Sequence, residues 1–165
     1  MGIFLSLSFG INKGSIVICD TQNNKCKYAV EKLGFPNGIA IYKEQLFVST
    51  TFEHKIYRFN IEKDFVLTNK KEITEVKGGD NLIIFNNKLY VTSHPSFWKF
   101  LKHSSNTENP SPSIGYEIDL ENYNKKIIFS DEGSRLSASS VILRLNQNMY
   151  IGQVFDPFLL YCKTP

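Results

Sequence analysis

Paired oxygen donors recur along this chain at one spacing. Asn37 stands in the run Phe35-Pro36-Asn37-Gly38-Ile39-Ala40-Ile41-Tyr42, followed by Leu46-Phe47-Val48-Ser49. Asp80 and Asn81 stand in Gly79-Asp80-Asn81-Leu82-Ile83-Ile84-Phe85, followed by Leu89-Tyr90-Val91-Thr92-Ser93-His94. Carboxylate and amide oxygens are the donors a hard cation such as calcium takes, roughly six to eight at a time. The two copies lie about 44 residues apart, the length of one four-stranded propeller blade. In a propeller the first strand of each blade lines the central tunnel, so side chains at one place in successive blades converge on an axis. Asn-Gly alone is a turn signal. Its recurrence in register ahead of apolar runs favours the ligand reading. His94 closes the second copy, and Pro95 holds it in extended or turn geometry.

The elements that must position these residues are strands. Residues 14–33 and 54–73 each read as two strands around a polar turn, and each precedes an Asn-bearing motif. A third unit continues through Gly115 to Leu120 and Lys125 to Asp131. A fourth runs from Ser139 to Leu143, Met149 to Val154 and Phe158 to Cys162. No segment keeps a helical period over 11 residues, and turn residues recur at the spacing of an all-β chain. The expected fold is therefore all-β: a single partial β-propeller domain over residues 1–165, about three and a half four-stranded blades with about 12–15 strands. The polar run His103 to Ser113, with two Pro, reads as a surface insertion loop. His54 and His103 fall in polar stretches and read as solvated. Met1 to Phe9 reads as a strand, with neither a basic region nor a small-residue cleavage site to make it a signal peptide. An array of this length leaves a sheet open at each end. The chain is then half of a larger protein, the reading favoured here, or it assembles with something, including itself through the open blade edges.

Composition narrows the function. Hydrophobic residues make up 42% and charged residues 21% of 165 positions, a globular balance. Thirteen Phe and eight Tyr suit strands. A net charge of +3 spread along the chain is too weak a footprint for nucleic acid. No apolar run is long enough to span a bilayer. Cys19, Cys26 and Cys162 leave two readings, one pair or three reduced thiols.

These motifs together resemble the paraoxonase/arylesterase family, specifically its C-terminal half. The matching stretches are Phe35-Pro36-Asn37-Gly38-Ile39, Asp80-Asn81-Leu82, Ser93-His94-Pro95, Gly133-Ser134 with Ser139-Ser140-Val141, and Ile151 to Phe155 through Leu160-Tyr161-Cys162. The resemblance implies a six-bladed propeller and a calcium-dependent hydrolase of aryl esters or lactones. It implies Asn37, Asp80 and Asn81 as ligands of the catalytic calcium, His94 in the active-site tunnel, and Phe35, Trp98, Ser140 and Val154 about the substrate pocket. It implies an extracellular or secretory-pathway location. It also makes Cys162 the partner of a cysteine not found here, and puts Ser93 where a free Cys often stands. The family's His dyad, its Glu and further Asn on calcium, and its second calcium site belong to the other half of the fold. Two alternatives stay open: a non-catalytic propeller module that binds partners, and a sugar-lactone hydrolase of a related propeller family. The absence of Trp-Asp dipeptides argues against a generic scaffold propeller.

Overall fold

The computed structural model describes residues 13–163. The expectation for Met1 to Phe9 lies outside the described residues. Thirteen strands are present among the described residues. They form four antiparallel sheets that follow one another in series. The first sheet pairs β1 (Gly14–Asp20) with β2 (Lys25–Leu33). The second holds β3 (Pro36–Tyr42), β4 (Gln45–Thr50), β5 (Lys55–Ile61) and β6 (Leu67–Glu75) in that order. The third holds β7 (Gly79–Phe85), β8 (Lys88–Ser93), β9 (Ser113–Asp119) and β10 (Lys125–Asp131). The last holds β11 (Ser139–Leu145), β12 (Asn148–Gln153) and β13 (Leu160–Lys163). This is an incomplete propeller, as the repeat led one to expect.

Alternation along each strand builds the core. In β4, Leu46 and Val48 turn to one face and join Ile16, Leu33, Tyr57 and Phe59 between the first and second sheets. Phe47, between them in sequence, turns to the other face and meets Ile56, Val76, Leu82, Leu89 and Val91 between the second and third. A third cluster, Tyr90, Phe129, Leu136, Ile142, Met149 and Ile151, joins the third sheet to the last. Each junction is thus one apolar layer between two sheet faces, the packing that sets inner strands side by side.

One α-helix, α1 (Phe97–Ser105), follows β8. Its nine residues are shorter than the window in which a helical period shows, so the sequence reading passed over it. Ser96 caps it by accepting from the Lys99 backbone N–H at 3.4 Å. His103 lies in its last turn and, against expectation, is buried. Its Nδ1 lies 2.7 Å from the Asn109 carbonyl, which folds the following chain back onto the helix. Residues 104–110 are exposed, while Ser111 and Ser113 are buried again. Cys19 and Cys26 form a disulfide across the β1–β2 hairpin, and Cys162 is a free, half-buried thiol.

Candidate functional site

One irregularity recurs at the start of the inner strands. On β3, Pro36 pairs with Thr50 and Ile39 with Val48, so three steps oppose two and the register slips at Asn37-Gly38. On β7, Gly79 pairs with Ser93 and Leu82 with Val91, a slip at Asp80-Asn81. On β11, Ser139 pairs with Gln153 and Val141 with Gly152, a slip at Ser140. A bulge adds one residue and re-aims its side chain. Asn37-Gly38 therefore lies inside a strand and not at a hairpin turn. The three bulges are also packed together. A Cβ on Gly38 would stand 2.4 Å from the Asp80 carbonyl oxygen and 2.8 Å from Asn81 Cα, so only glycine lets the two backbones approach this closely.

Hydroxyls at the far end of the second strands lock this arrangement. Ser49 Oγ accepts from the Gly38 N–H at 2.7 Å and donates to the Asp80 carbonyl at 2.6 Å. Thr92 Oγ1 donates to the Ser140 carbonyl at 2.7 Å, the donating half of that bridge one sheet later. The bridges also orient the amides. Thr51 Oγ1 gives its proton to the Gly79 carbonyl at 2.8 Å, so it can only accept from Asn37 Nδ2, at 3.2 Å. Asn81 faces the Ser140 carbonyl at 3.2 Å and Ser140 Oγ at 2.9 Å, and a carbonyl takes only the Nδ2 side. Both amides thus turn Nδ2 to the protein, and their Oδ1 atoms have no hydrogen-bond partner among the described residues.

Asp80 is buried beside them and carries the only formal charge of the set. Its Oδ2 lies 3.1 Å from Nε2 of buried His94. A carboxylate there fixes Nε2 as the protonated nitrogen and leaves the lone pair on Nδ1, which is buried with no hydrogen-bond partner among the described residues. His94 also packs 4.4 Å from the Phe100 ring, and rings continue from there. Phe100 meets Phe97 and Phe155, Phe97 meets Phe52, and Phe52 meets Phe35 at 4.9 Å. These rings come from segments flanking three different sheets and form an apolar wall beside the Asp80–His94 pair. An apolar wall weakens screening of the charges it borders.

Residues 3–164 match the family described as Arylesterase, nearly the whole chain. The chain belongs to the arylesterase family. Among solved structures, this arylesterase-family chain is similar to a chain in a nidogen/laminin complex, with TM-score 0.59, 10% identity, and 87% of this chain matched to 51% of that one. It is similar to a luciferin-regenerating enzyme, with TM-score 0.55, 8% identity, and 78% matched to 40%. It is similar to the tricorn protease, with TM-score 0.54, 9% identity, and 90% matched to 20%. At such identities the likeness shows the fold alone. The chain spans about half or less of the length of each of these structures. No curated protein matches the sequence.

Within this arylesterase-family chain the fold gathers Asn37, Asp80, Asn81 and Ser140 at adjacent bulges, with His94 bonded to Asp80. Phe35 sits at the far end of the ring series from Phe155. Val154 is exposed and neighbours Phe155. Trp98 is 74% exposed and lines a cleft of about 280 Å³ with Phe52, His54, Lys77 and His94. Cys162 stands apart on β13. His54, expected in solvent, is half-buried and accepts the Gly78 N–H at Nδ1, 3.1 Å away. The reading of the sequence missed Ser49, Thr51 and Thr92. The repeat held the signal: Val48-Ser49-Thr50-Thr51 and Val91-Thr92-Ser93-His94 are aligned copies.

The donor set fits calcium chemically. It offers two amide oxygens and one carboxylate, hard neutral and anionic donors of the kind that cation prefers. Among the described residues no three His, Cys, Asp or Glu side chains cluster to suit a softer metal. Three side chains supply only part of a calcium shell.

Proposed function

We propose that this site serves the calcium-dependent hydrolysis of a small aryl ester or lactone. The observation that supports the reading is a pair of amides whose Nδ2 atoms are held by the protein, at bulges packed together, one of which carries Asp80 of the buried Asp80–His94 pair. Asn37, Asp80 and Asn81 would hold the cation. When bound, it would polarise the ester carbonyl and stabilise charge developing on that oxygen. His94 would take a proton from water at Nδ1 while Asp80 holds Nε2–H. The ring wall would seat the apolar part of the substrate and keep bulk water away. Hydrolysis needs metal, base and positioning together. One copy of this chain brings three donors and no second His beside His94. The isolated chain is therefore expected to turn over neither phenyl acetate nor a δ-lactone. The family association and the disulfide support an extracellular setting.

The test is titration of calcium into wild type, Asp80→Ala and Asn37→Ala by calorimetry. Asp80→Ala should weaken binding the more, because charge count tunes calcium affinity. Equal losses, or binding untouched by either change, would refute the assignment.

A further inference from the structure

His103 is a buried titratable group that the hydrolytic reading leaves unused. It lies in the last turn of α1 and is 1% exposed. Its Nδ1 is 2.7 Å from the Asn109 carbonyl, and a carbonyl oxygen only accepts, so Nδ1 carries the hydrogen. The neutral ring then has its lone pair on Nε2, a buried atom with no hydrogen-bond partner among the described residues. Asp156 Oδ2 faces Nε2 from 3.8 Å, too far for a hydrogen bond. A lone pair and a carboxylate have no hydrogen to share, so they stand apart.

The same ring is tied to the site. It meets Phe155 edge-on at 5.5 Å, Phe155 meets Phe100 at 5.5 Å, and Phe100 packs 4.4 Å from His94. Phe155 and Asp156 belong to residues 154–159, which link β12 to β13 and are mostly exposed. Val154 is anchored through its N–H to the Ala138 carbonyl at 3.1 Å. Beyond it the segment's hydrogen bonds among the described residues are local. The Asp156 N–H reaches Gln153 Oε1 at 3.4 Å, and the Phe158 N–H reaches the Asp156 carbonyl at 3.0 Å. Asp156 is thus free to shift toward α1 without breaking the ladder of β12 and β13.

We propose that His103 is a pH-gated positioning residue of the ring wall. A proton taken from solvent, past the Asp156 side chain that is 27% exposed, turns Nε2 from an acceptor into a donor. Nε2–H then donates to Asp156 Oδ2, and the gap closes to about 2.8 Å, the length of a charge-assisted bond. Residues 154–159 are drawn onto α1, and Phe155 is fixed against Phe100. Loss of the proton releases them. Imidazole is the side chain that makes this change between about pH 5 and about pH 8. The other charged groups on the elements around the ring are Lys99 and Lys102 on α1 and Glu108 on the returning chain, all exposed. Among the described residues only Asp156 makes an ion-pair contact with the ring.

No proton of the reaction passes through His103, which acts on the site only through Phe155 and Phe100. The wall's place in hydrolysis rests on the reading above, whereas the latch does not.

The test is NMR of the purified, isotope-labelled chain from about pH 8 to about pH 5, above the range in which carboxylates gain protons. The three histidines give three ring signals, and His103→Gln assigns the one at issue. Its nitrogen shifts should report hydrogen on Nδ1 alone at the alkaline end and on both nitrogens at the acid end. The Phe155 and Asp156 amide shifts should move with the same midpoint as that ring. Asp156→Asn should abolish the amide movement, because an amide can donate to the neutral ring and accept from the charged one. His103→Gln should abolish it too, and Asp156→Asn, at a partly exposed side chain, carries the test if the buried change unfolds the chain. Hydrogen on Nε2 at the alkaline end, amides that stay still or follow His94, or movement that survives Asp156→Asn would overturn the proposal. Phenol added to the same samples should perturb Phe155 and bind more tightly at the acid end. Equal affinity across the range would overturn the positioning role. Phenol that leaves Phe155 untouched while the latch titrates would sink the hydrolase reading of the wall and leave the latch standing.

Discussion

Removing the Ser49 hydroxyl should cost far more than removing its counterpart at Thr92. Ser49 is fully buried and its Oγ serves two backbone groups, the Gly38 N–H and the Asp80 carbonyl. Ser49→Ala leaves both without this partner. A buried unsatisfied group costs about 1–3 kcal/mol. Taking about 2 for the donor and about 1 for the acceptor, whose second lone pair softens the loss, gives about 3 kcal/mol. Thr92→Val preserves shape and removes one bond, to the Ser140 carbonyl. That carbonyl keeps the Asn81 amide as a partner, so nothing is orphaned. The cost is then an ordinary net hydrogen bond, about 1 kcal/mol. Urea unfolding at one protein concentration measures both, provided the slope with denaturant stays constant. Calcium titration should show a parallel loss for Ser49→Ala, because the two donor-bearing bulges would no longer be tied. Equal destabilisation by the two substitutions, or a greater effect of Thr92→Val, would refute the reasoning that Ser49 ties two buried backbone groups where Thr92 ties one.

Gly78 has φ +66°, and an added Cβ would lie 2.1 Å from the His94 carbonyl oxygen. Gly78→Ala should cost about 3 kcal/mol or more by strain and backbone displacement together, read as a fall in melting temperature or loss of soluble protein. Burial raises the pKa of Asp131, but Arg135 and the backbone N–H groups of Arg135, Gly133 and Ser134 outweigh it and hold the carboxyl below its ordinary value. A depressed carboxyl stabilises the fold above its unfolded pKa, near 4, and that contribution fades as pH falls through the folded value. Asp131→Asn should therefore narrow the stability gap from wild type as pH drops from about 6 to about 3, and a gap constant with pH would count against the assignment. Trp98→Ala should change stability by less than about 0.5 kcal/mol, since the ring is mostly in solvent. A larger loss in thermal melts would mean that the ring packs where its exposure says it does not.

The sheets were legible because a strand buried on one face writes its alternation into the residues. Leu46-Phe47-Val48 shows this, with neighbours sent to opposite cores. The bulges were legible only as a coincidence of Asn37 with Asp80-Asn81, because a repeat shows which residues recur and not why the ladder slips there. Ser49 and Thr92 escaped notice because small hydroxyl residues in an apolar strand look like ordinary strand residues, and their partners lie 31 and 48 positions away. α1 escaped because two turns of helix carry too little periodicity, although Pro95-Ser96 announces its start. His103 read as solvated from its polar neighbours, yet the fold returns Asn109 to it.

Apolar layers join each sheet to the one beside it in sequence, and hydroxyl bridges tie the second to the third and the third to the last, so the described sheets behave as a short linear stack. Cooperative units in such a stack open from the outside inward. Amide protons of β7 and β8, flanked on both sides and pinned by Ser49 and Thr92, should exchange with deuterated water most slowly. Those of the β1–β2 hairpin should exchange fastest, even though it holds the disulfide. That crosslink spans seven residues and ties the hairpin only to itself.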